Sequence, residues 1–160
     1  LRYYMEHMNI DKTLQISSDS SEDTEKIGER IGNRLRGGEV IELISDLGGG
    51  KTTLVRGIAR GFGSQDKVSS PTFTVNKEYR SGDKRIVHYD FYRLHDPGLM
   101  QFELAEALSE PDTVVIVEWA DIVQDVLPQS RMTITITSTG TNGRLFKLKT
   151  SDSLAYLLGE

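Results

Sequence analysis

The segment Glu39-Val40-Ile41-Glu42-Leu43-Ile44 is strand-like and mostly apolar, and it runs straight into Ser45-Asp46-Leu47-Gly48-Gly49-Gly50-Lys51-Thr52-Thr53. From Lys51 to about Gly61 the chain reads as a helix carrying Leu54, Val55 and Ile58. A strand, a glycine-rich loop and a helix in immediate succession is the context in which a backbone wraps a phosphate. Glycines let successive N–H groups turn inward around phosphate oxygens, and the helix N-terminus adds a dipole that favours anions. In that arrangement Lys51 reaches the β- and γ-phosphates and the Thr52 hydroxyl ligates Mg2+. The pattern G-x-x-x-x-G-K-[ST] asks for glycine where this chain has Ser45, and serine takes a positive φ only at a cost. The competing reading of the segment is a glycine-rich surface turn ahead of an amphipathic helix.

The remainder of the chain alternates strands with helices. Residues 12–16 alternate as a short strand, and Ser20 or Ser21 caps a helix that runs to about Arg36, with Ile27, Ile31 and Leu35 recurring every four residues. Gly37-Gly38 ends it. Val68 to Val75 reads as a proline-broken extended segment, continued by Asn76 to Tyr79; Ser81-Gly82-Asp83 is a turn and Arg85 to Tyr92 the second strand of a hairpin. A helix follows to about Leu108. Thr113 to Val117 is a β-branched apolar run of the kind found in buried central strands. Arg131 to Thr137 alternates, Asn142-Gly143 signals a hairpin, Leu145 to Lys149 pairs back, and a short helix closes near Leu154 to Leu158. The pattern predicts an α/β fold: a P-loop NTPase-like, mostly parallel central sheet flanked by helices, with an antiparallel C-terminal hairpin at the edge.

Composition narrows the function. At 160 residues, 37% of them apolar and 27% charged, one domain spanning 1–160 with a true core is expected, and the first ten residues are given no weight. The absence of cysteine removes disulfides, thiolate metal sites and cysteine nucleophiles together. A net charge of −5 disfavours a stand-alone nucleic-acid binder, which needs a basic face. No apolar run approaches the length that spans a bilayer, and Leu1 to His7 has no signal-peptide core, so no membrane association and a cytoplasmic location are expected.

Four blocks fall in a telling order: Leu47 to Gly57 with its Gly-Gly-Gly-Lys-Thr-Thr; Val68-Ser69-Ser70-Pro71-Thr72-Phe73-Thr74-Val75; His88-Tyr89-Asp90-Phe91-Tyr92-Arg93-Leu94; and Val117-Glu118-Trp119-Ala120-Asp121. In order and spacing they resemble the bacterial TsaE (YjeE) family, small P-loop ATPases needed to make the threonylcarbamoyladenosine (t6A) modification next to the anticodon of certain tRNAs. The resemblance covers about Ser21 to Leu127. It implies ATP and Mg2+ as cofactors, slow hydrolysis without partners, TsaD-like and TsaB-like partner proteins, and contact with tRNA only through them. Residue by residue, it implies a nucleotide site made by Thr24, near the adenine, and by Leu47, Gly48, Gly49, Gly50, Lys51, Thr52 and Thr53. It further implies catalytic roles for Lys51, Asp90 and Glu118, and a role in activity for Trp119.

The residue chemistry leaves alternatives beside these roles. Thr24 is equally a first-turn helix residue. Asp90 binds Mg2+ through water, polarises the attacking water, or is a solvated strand-end charge. Glu118, at the tip of an apolar strand, needs a partner: with Thr52 it holds Mg2+, or it pairs with Lys or Arg. Trp119 is a core residue on packing grounds alone. Ser70-Pro71-Thr72 is either a switch-like loop through which Thr72 or Thr74 responds to nucleotide, or a proline turn. His88 reads as structural, and Arg93 as a phosphate contact or a partner of Asp90 or Asp96. Two other functions fit a phosphate loop: a small-molecule kinase, which needs an acceptor pocket and a basic lid, and a nucleotide-gated protein-binding module. A GTPase is disfavoured because Asn76-Lys77-Glu78-Tyr79 has Tyr where the guanine-reading carboxylate belongs.

Overall fold

The computed structural model describes residues 11–46 and 48–159. The first ten residues and the phosphate-loop assignment of Leu47 lie outside the described residues. The elements run β1 (Lys12–Ser18), α1 (Ser21–Arg34), β2 (Val40–Ile44), α2 (Lys51–Phe62), β3 (Asn76–Ser81), β4 (Lys84–Asp90), α3 (Met100–Ser109), β5 (Thr113–Glu118), a 3-10 turn (Ala120–Val123), β6 (Met132–Ser138), β7 (Arg144–Thr150) and a closing 3-10 helix (Asp152–Leu158).

Local chemistry sets the boundaries. Ser20 caps α1 by accepting the Asp23 N–H at 3.0 Å, with Glu22 and Asp23 in the positive first turn. The helix stops at Arg34, two residues before the sequence expectation. There Gly37 and Gly38 turn at φ 116° and 85°, and the Glu39 carboxylate accepts the N–H groups of Arg36 and Gly37 at 2.8 and 2.7 Å. The strand expected to reach Tyr92 stops at Asp90 because the Asp90 carboxylate accepts the Tyr92 N–H at 2.9 Å and bends the chain. The segment expected to be extended ahead of β3 is instead folded: the Pro71 carbonyl accepts the N–H groups of Thr74 and Val75 at 3.1 and 2.7 Å, and Val75 sits at φ 69°. A positive φ is a costly conformation for a β-branched residue.

One seven-stranded sheet has the order β1-β7-β6-β2-β5-β4-β3. Its four middle strands, β6, β2, β5 and β4, are mutually parallel. Antiparallel pairs flank them: β3 against β4 on one side, and the expected C-terminal hairpin β6–β7 on the other, with β1 laid along its outer strand. Asn142 and Gly143 fall in the loop 139–143, closed by the Thr139 N–H to the Gly143 carbonyl at 3.0 Å.

Alternation along the strands divides the interior into two cores. Ile86, Val114, Ile116, Ile41, Leu43 and Ile134 face α1 and α2. Val87, Tyr89, Val115 and Val117 face α3. By the same period of two, His88 and Asp90 on β4 and Glu118 on β5 project to the α1–α2 side, the side of the glycine-rich loop.

Helices α1 and α2 meet backbone to backbone. A Cβ at Gly28 would overlap the Leu54 carbonyl and one at Gly32 the Ile58 carbonyl; reciprocally, Gly57 lies against the Glu25 carbonyl and Gly61 against that of Glu29. Two Gly-x-x-x-Gly pairs thus form one seam, bordered by Glu25 with Arg56 and Arg60, each at 3.1 Å. Helix propensity alone would favour Gly57→Ala by about 1 kcal/mol, but overpacking costs about 1–3 kcal/mol and the obstacle here is rigid backbone. Gly57→Ala is therefore expected to lower the midpoint of thermal unfolding. A denaturation curve showing equal or greater stability would contradict the seam.

Candidate nucleotide site

The C-terminal ends of parallel strands are where open α/β sheets bind ligands, and here β2, β4 and β5 all end at one cleft. A hollow of about 280 Å3 is lined by Gly48, Gly49, Gly50, Lys51, Thr52, Ser70, Thr72, Asp90, Glu118 and Trp119. A second, of about 240 Å3, adjoins it across Gly48 and Gly50 and is lined by Ser20, Ser21, Thr24, Thr53, Thr141, Asn142 and Arg144. The glycine loop forms the saddle between them.

The loop is built for close approach. Gly50 caps α2 at φ 95°, its carbonyl accepting the Leu54 N–H at 3.0 Å, and Gly48 sits at φ 73°. A Cβ on Gly49 would collide with the Ser45 hydroxyl. Ser45 itself is not among the residues of positive φ, so serine at the first consensus position carries no backbone penalty; its hydroxyl donates to the Asp46 carbonyl at 3.0 Å. The Lys51 ammonium, on a side chain only 8% exposed, donates to the carbonyls of Ser45 and Asp46 at 3.3 and 3.1 Å and lies 5.3 Å from the centre of the Trp119 ring. It is thus held by neutral groups that a phosphate can replace.

Asp90 and Glu118 are register partners on β4 and β5, and both are 3% exposed. Asp90 is fixed on both oxygens, one accepting from the Thr72 hydroxyl at 2.8 Å and the other from the Tyr92 N–H at 2.9 Å. Glu118 has the fully buried His88 beside it, Nε2 3.2 Å from Oε1. Neither His88 nitrogen has a well-aligned hydrogen-bond partner among the described residues. His88 is therefore a core residue, as expected, and the neighbour of Glu118 is this imidazole rather than a Lys or Arg. Two buried carboxylates side by side call for positive charge beyond Lys51. An oxygen-rich set of Thr52, Glu118 and Asp90 suits Mg2+, which takes one or two carboxylates and completes its shell with water and phosphate oxygen. Glu118 has the freer lone pairs of the two acids.

Other predicted residues sort cleanly. Thr24 is buried, shares a 2.8 Å hydrogen bond with the Ser18 hydroxyl and lines the second hollow with Thr53. Of the two candidate switch threonines, Thr72 reaches the site while the Thr74 hydroxyl donates to the Asn76 carbonyl. The Tyr79 hydroxyl donates to the Ser69 carbonyl at 3.0 Å and ties that loop to β3; burial of its ring raises the phenol's pKa. Trp119 takes φ 53°, ψ 52°, and its ring packs on Tyr92 with centroids 4.9 Å apart. Arg93 meets neither Asp90 nor Asp96 in an ion pair; its guanidinium caps the exposed Phe73 ring at 4.2 Å. Sequence reasoning overlooked Arg144, whose Nε donates to the Gly49 carbonyl at 3.2 Å. Nothing local marks it: β7 brings it to the loop from 95 residues away.

Comparison with known proteins identifies the family. Residues 18–146 match the family model described as threonylcarbamoyl adenosine biosynthesis protein TsaE. The chain is similar to the tRNA threonylcarbamoyladenosine biosynthesis protein TsaE of Bacillus subtilis strain 168, 36% identical over 137 residues and 83% of each chain. It is similar to the protein of the same name from Haemophilus influenzae, 39% identical over 97 residues, a segment that spans 61% of each chain. Among solved structures, the crystal structure of YdiB from Bacillus subtilis aligns with a TM-score of 0.76 at 31% identity, over 94% of this chain and 93% of that one. A matched family model over most of the chain, and a solved relative of the same fold, make this protein a member of the TsaE family.

Proposed function

We propose that the protein binds and hydrolyses Mg-ATP as a component of tRNA threonylcarbamoyladenosine biosynthesis, acting on partners like TsaD and TsaB and meeting tRNA only through them. The observation that carries the reading is the convergence of the Gly48–Thr52 loop with two buried, register-paired carboxylates, Asp90 and Glu118, in one cleft. The names of the relatives supply the pathway.

In this reading the phosphates lie on the glycine loop and the nucleoside extends over the saddle to Thr24 and Thr53. Lys51 leaves the Ser45 and Asp46 carbonyls for the β- and γ-phosphates. Thr52 and Glu118 hold Mg2+, which neutralises phosphate charge when bound. Asp90, immobilised by Thr72 and the Tyr92 N–H, orients the attacking water. The water oxygen bonds to the γ-phosphorus, the bond from that phosphorus to the β–γ bridging oxygen breaks with its electron pair staying on ADP, and the water's two protons depart on the released phosphate. Thr72 links the Pro71 loop to Asp90, so that loop is placed to respond to the γ-phosphate.

The kinase alternative is weakened by the fold. The stretch Arg80 to Arg85, of mixed charge with Asp83 among its cations, turns between β3 and β4 at the end of β4 opposite Asp90 and supplies no basic lid over the cleft. Hydrolysis without a phosphorylated acceptor separates the two.

Phosphate release, assayed with the partner proteins present, tests the assignment. Lys51→Ala is expected to lower turnover by ~10²–10³-fold, the usual consequence of removing one donor that stabilises developing charge. Glu118→Gln is expected to raise the Mg2+ concentration needed for half-maximal activity, with the fold unchanged by circular dichroism. Near wild-type turnover in both variants would overturn the site.

A further inference from the structure

We propose that Arg144 is a positioning residue for the nucleotide phosphates: it clamps the Gly49–Gly50 peptide in the phosphate-receiving orientation and uses the β6–β7 loop as its backstop. The inference rests on the nucleotide reading above and adds a residue to it.

Arg144 is the first residue of β7, paired in register with Ser138 on β6 and Ser18 on β1. Its guanidinium is divided between two loops. Nε donates to the Gly49 carbonyl at 3.2 Å. Nη1 donates to the Gly143 carbonyl at 2.8 Å and, more weakly, to the Gly140 carbonyl and the Ser138 hydroxyl, each at 3.4 Å. Nη2 has no protein partner among the described residues, and the side chain lines the second hollow beside Gly48 and Gly50.

The carbonyl and the following N–H of a trans peptide point in opposite directions. A guanidinium that holds the Gly49 carbonyl toward the hairpin therefore directs the Gly50 N–H away from it. A phosphate nest requires that polarity, carbonyls outward and N–H groups to the anion. Gly50, at φ 95°, has the backbone freedom to lose it. The planar fork of arginine serves two loops at once; lysine, a point charge on a flexible stem, does not. The clamp also connects the hairpin loop to the nucleotide through a single side chain.

Calorimetric titration with Mg-ATP, on the full chain and on Arg144→Ala and Arg144→Lys, is the test, together with the Gly50 amide signal by NMR. Arg144→Ala is expected to weaken Mg-ATP at least ~10-fold, a loss of about 1.4 kcal/mol. Arg144→Lys is expected to stay nearly as weak, with a displaced and faster-exchanging Gly50 amide in the free protein. Recovery of affinity by lysine would replace the clamp with a simple charge effect and overturn the proposal. Equal binding by wild type and both variants would overturn the clamp and leave the nucleotide reading standing. No binding by wild type would remove both. Should Arg144→Ala not fold, Arg144→Lys, which keeps the stem and the charge, carries the comparison.

Discussion

The contact between α1 and α2 is the constraint on which the site depends. Gly28 and Gly32 on one helix, and Gly57 and Gly61 on the other, let the two backbones touch. That closeness seats α2 deep against the sheet, where its first residues, Lys51 and Thr52, reach the strand ends. It also sets Thr24, in the first turn of α1, beside Thr53 in the first turn of α2. Bulkier residues along the seam would push the helices apart and widen the cleft on the side assigned to the nucleoside.

Sheet alternation supplies the other half of the geometry. In β4 and β5 the residues that face the α1–α2 core and the acids that line the cleft belong to the same series of alternate positions. The strands thus carry Ile86, Val114 and Ile116 into the core and end, on the same face, with Asp90 and Glu118. Burial of these acids is costly without compensating charge, and strain is concentrated around them. The two non-glycine residues of positive φ among the described residues are Val75 and Trp119. The Val75 carbonyl accepts the Asp90 N–H at 2.8 Å, and Trp119 directly follows Glu118. Strained backbone on both sides of a pair of buried carboxylates is what a preorganised site looks like, since the surrounding fold must hold what local preference would release.

Much of this was legible in the sequence because it is local. The apolar run ending at Glu118, the glycine loop and the helix after it all signal themselves within a dozen residues. The caps at Ser20 and Gly37-Gly38 do so as well. What stayed hidden is set by tertiary contact. Pro71 reads as a break in an extended segment, but that its carbonyl folds the next residues into a turn and brings Thr72 to Asp90 follows from the packing. The four seam glycines look like weak points in helices until their partners are known. Arg144 reads as one more charge after a hairpin turn, and its meaning comes from the strand order that places β7 near β2. Ser45 departs from the consensus glycine, yet the structure gives it an ordinary backbone.

The most direct measurement of the central claim is the emission of Trp119, the single tryptophan, during titration with Mg-ATP and Mg-GTP in wild type and in Lys51→Ala. Its ring lies beside the Lys51 ammonium in the cleft, so occupancy of the phosphate loop changes its surroundings. A saturable change, stronger with the adenine nucleotide and abolished in Lys51→Ala, is the predicted result. An emission indifferent to millimolar nucleotide, with calorimetry equally silent, would contradict the assignment of this cleft to ATP.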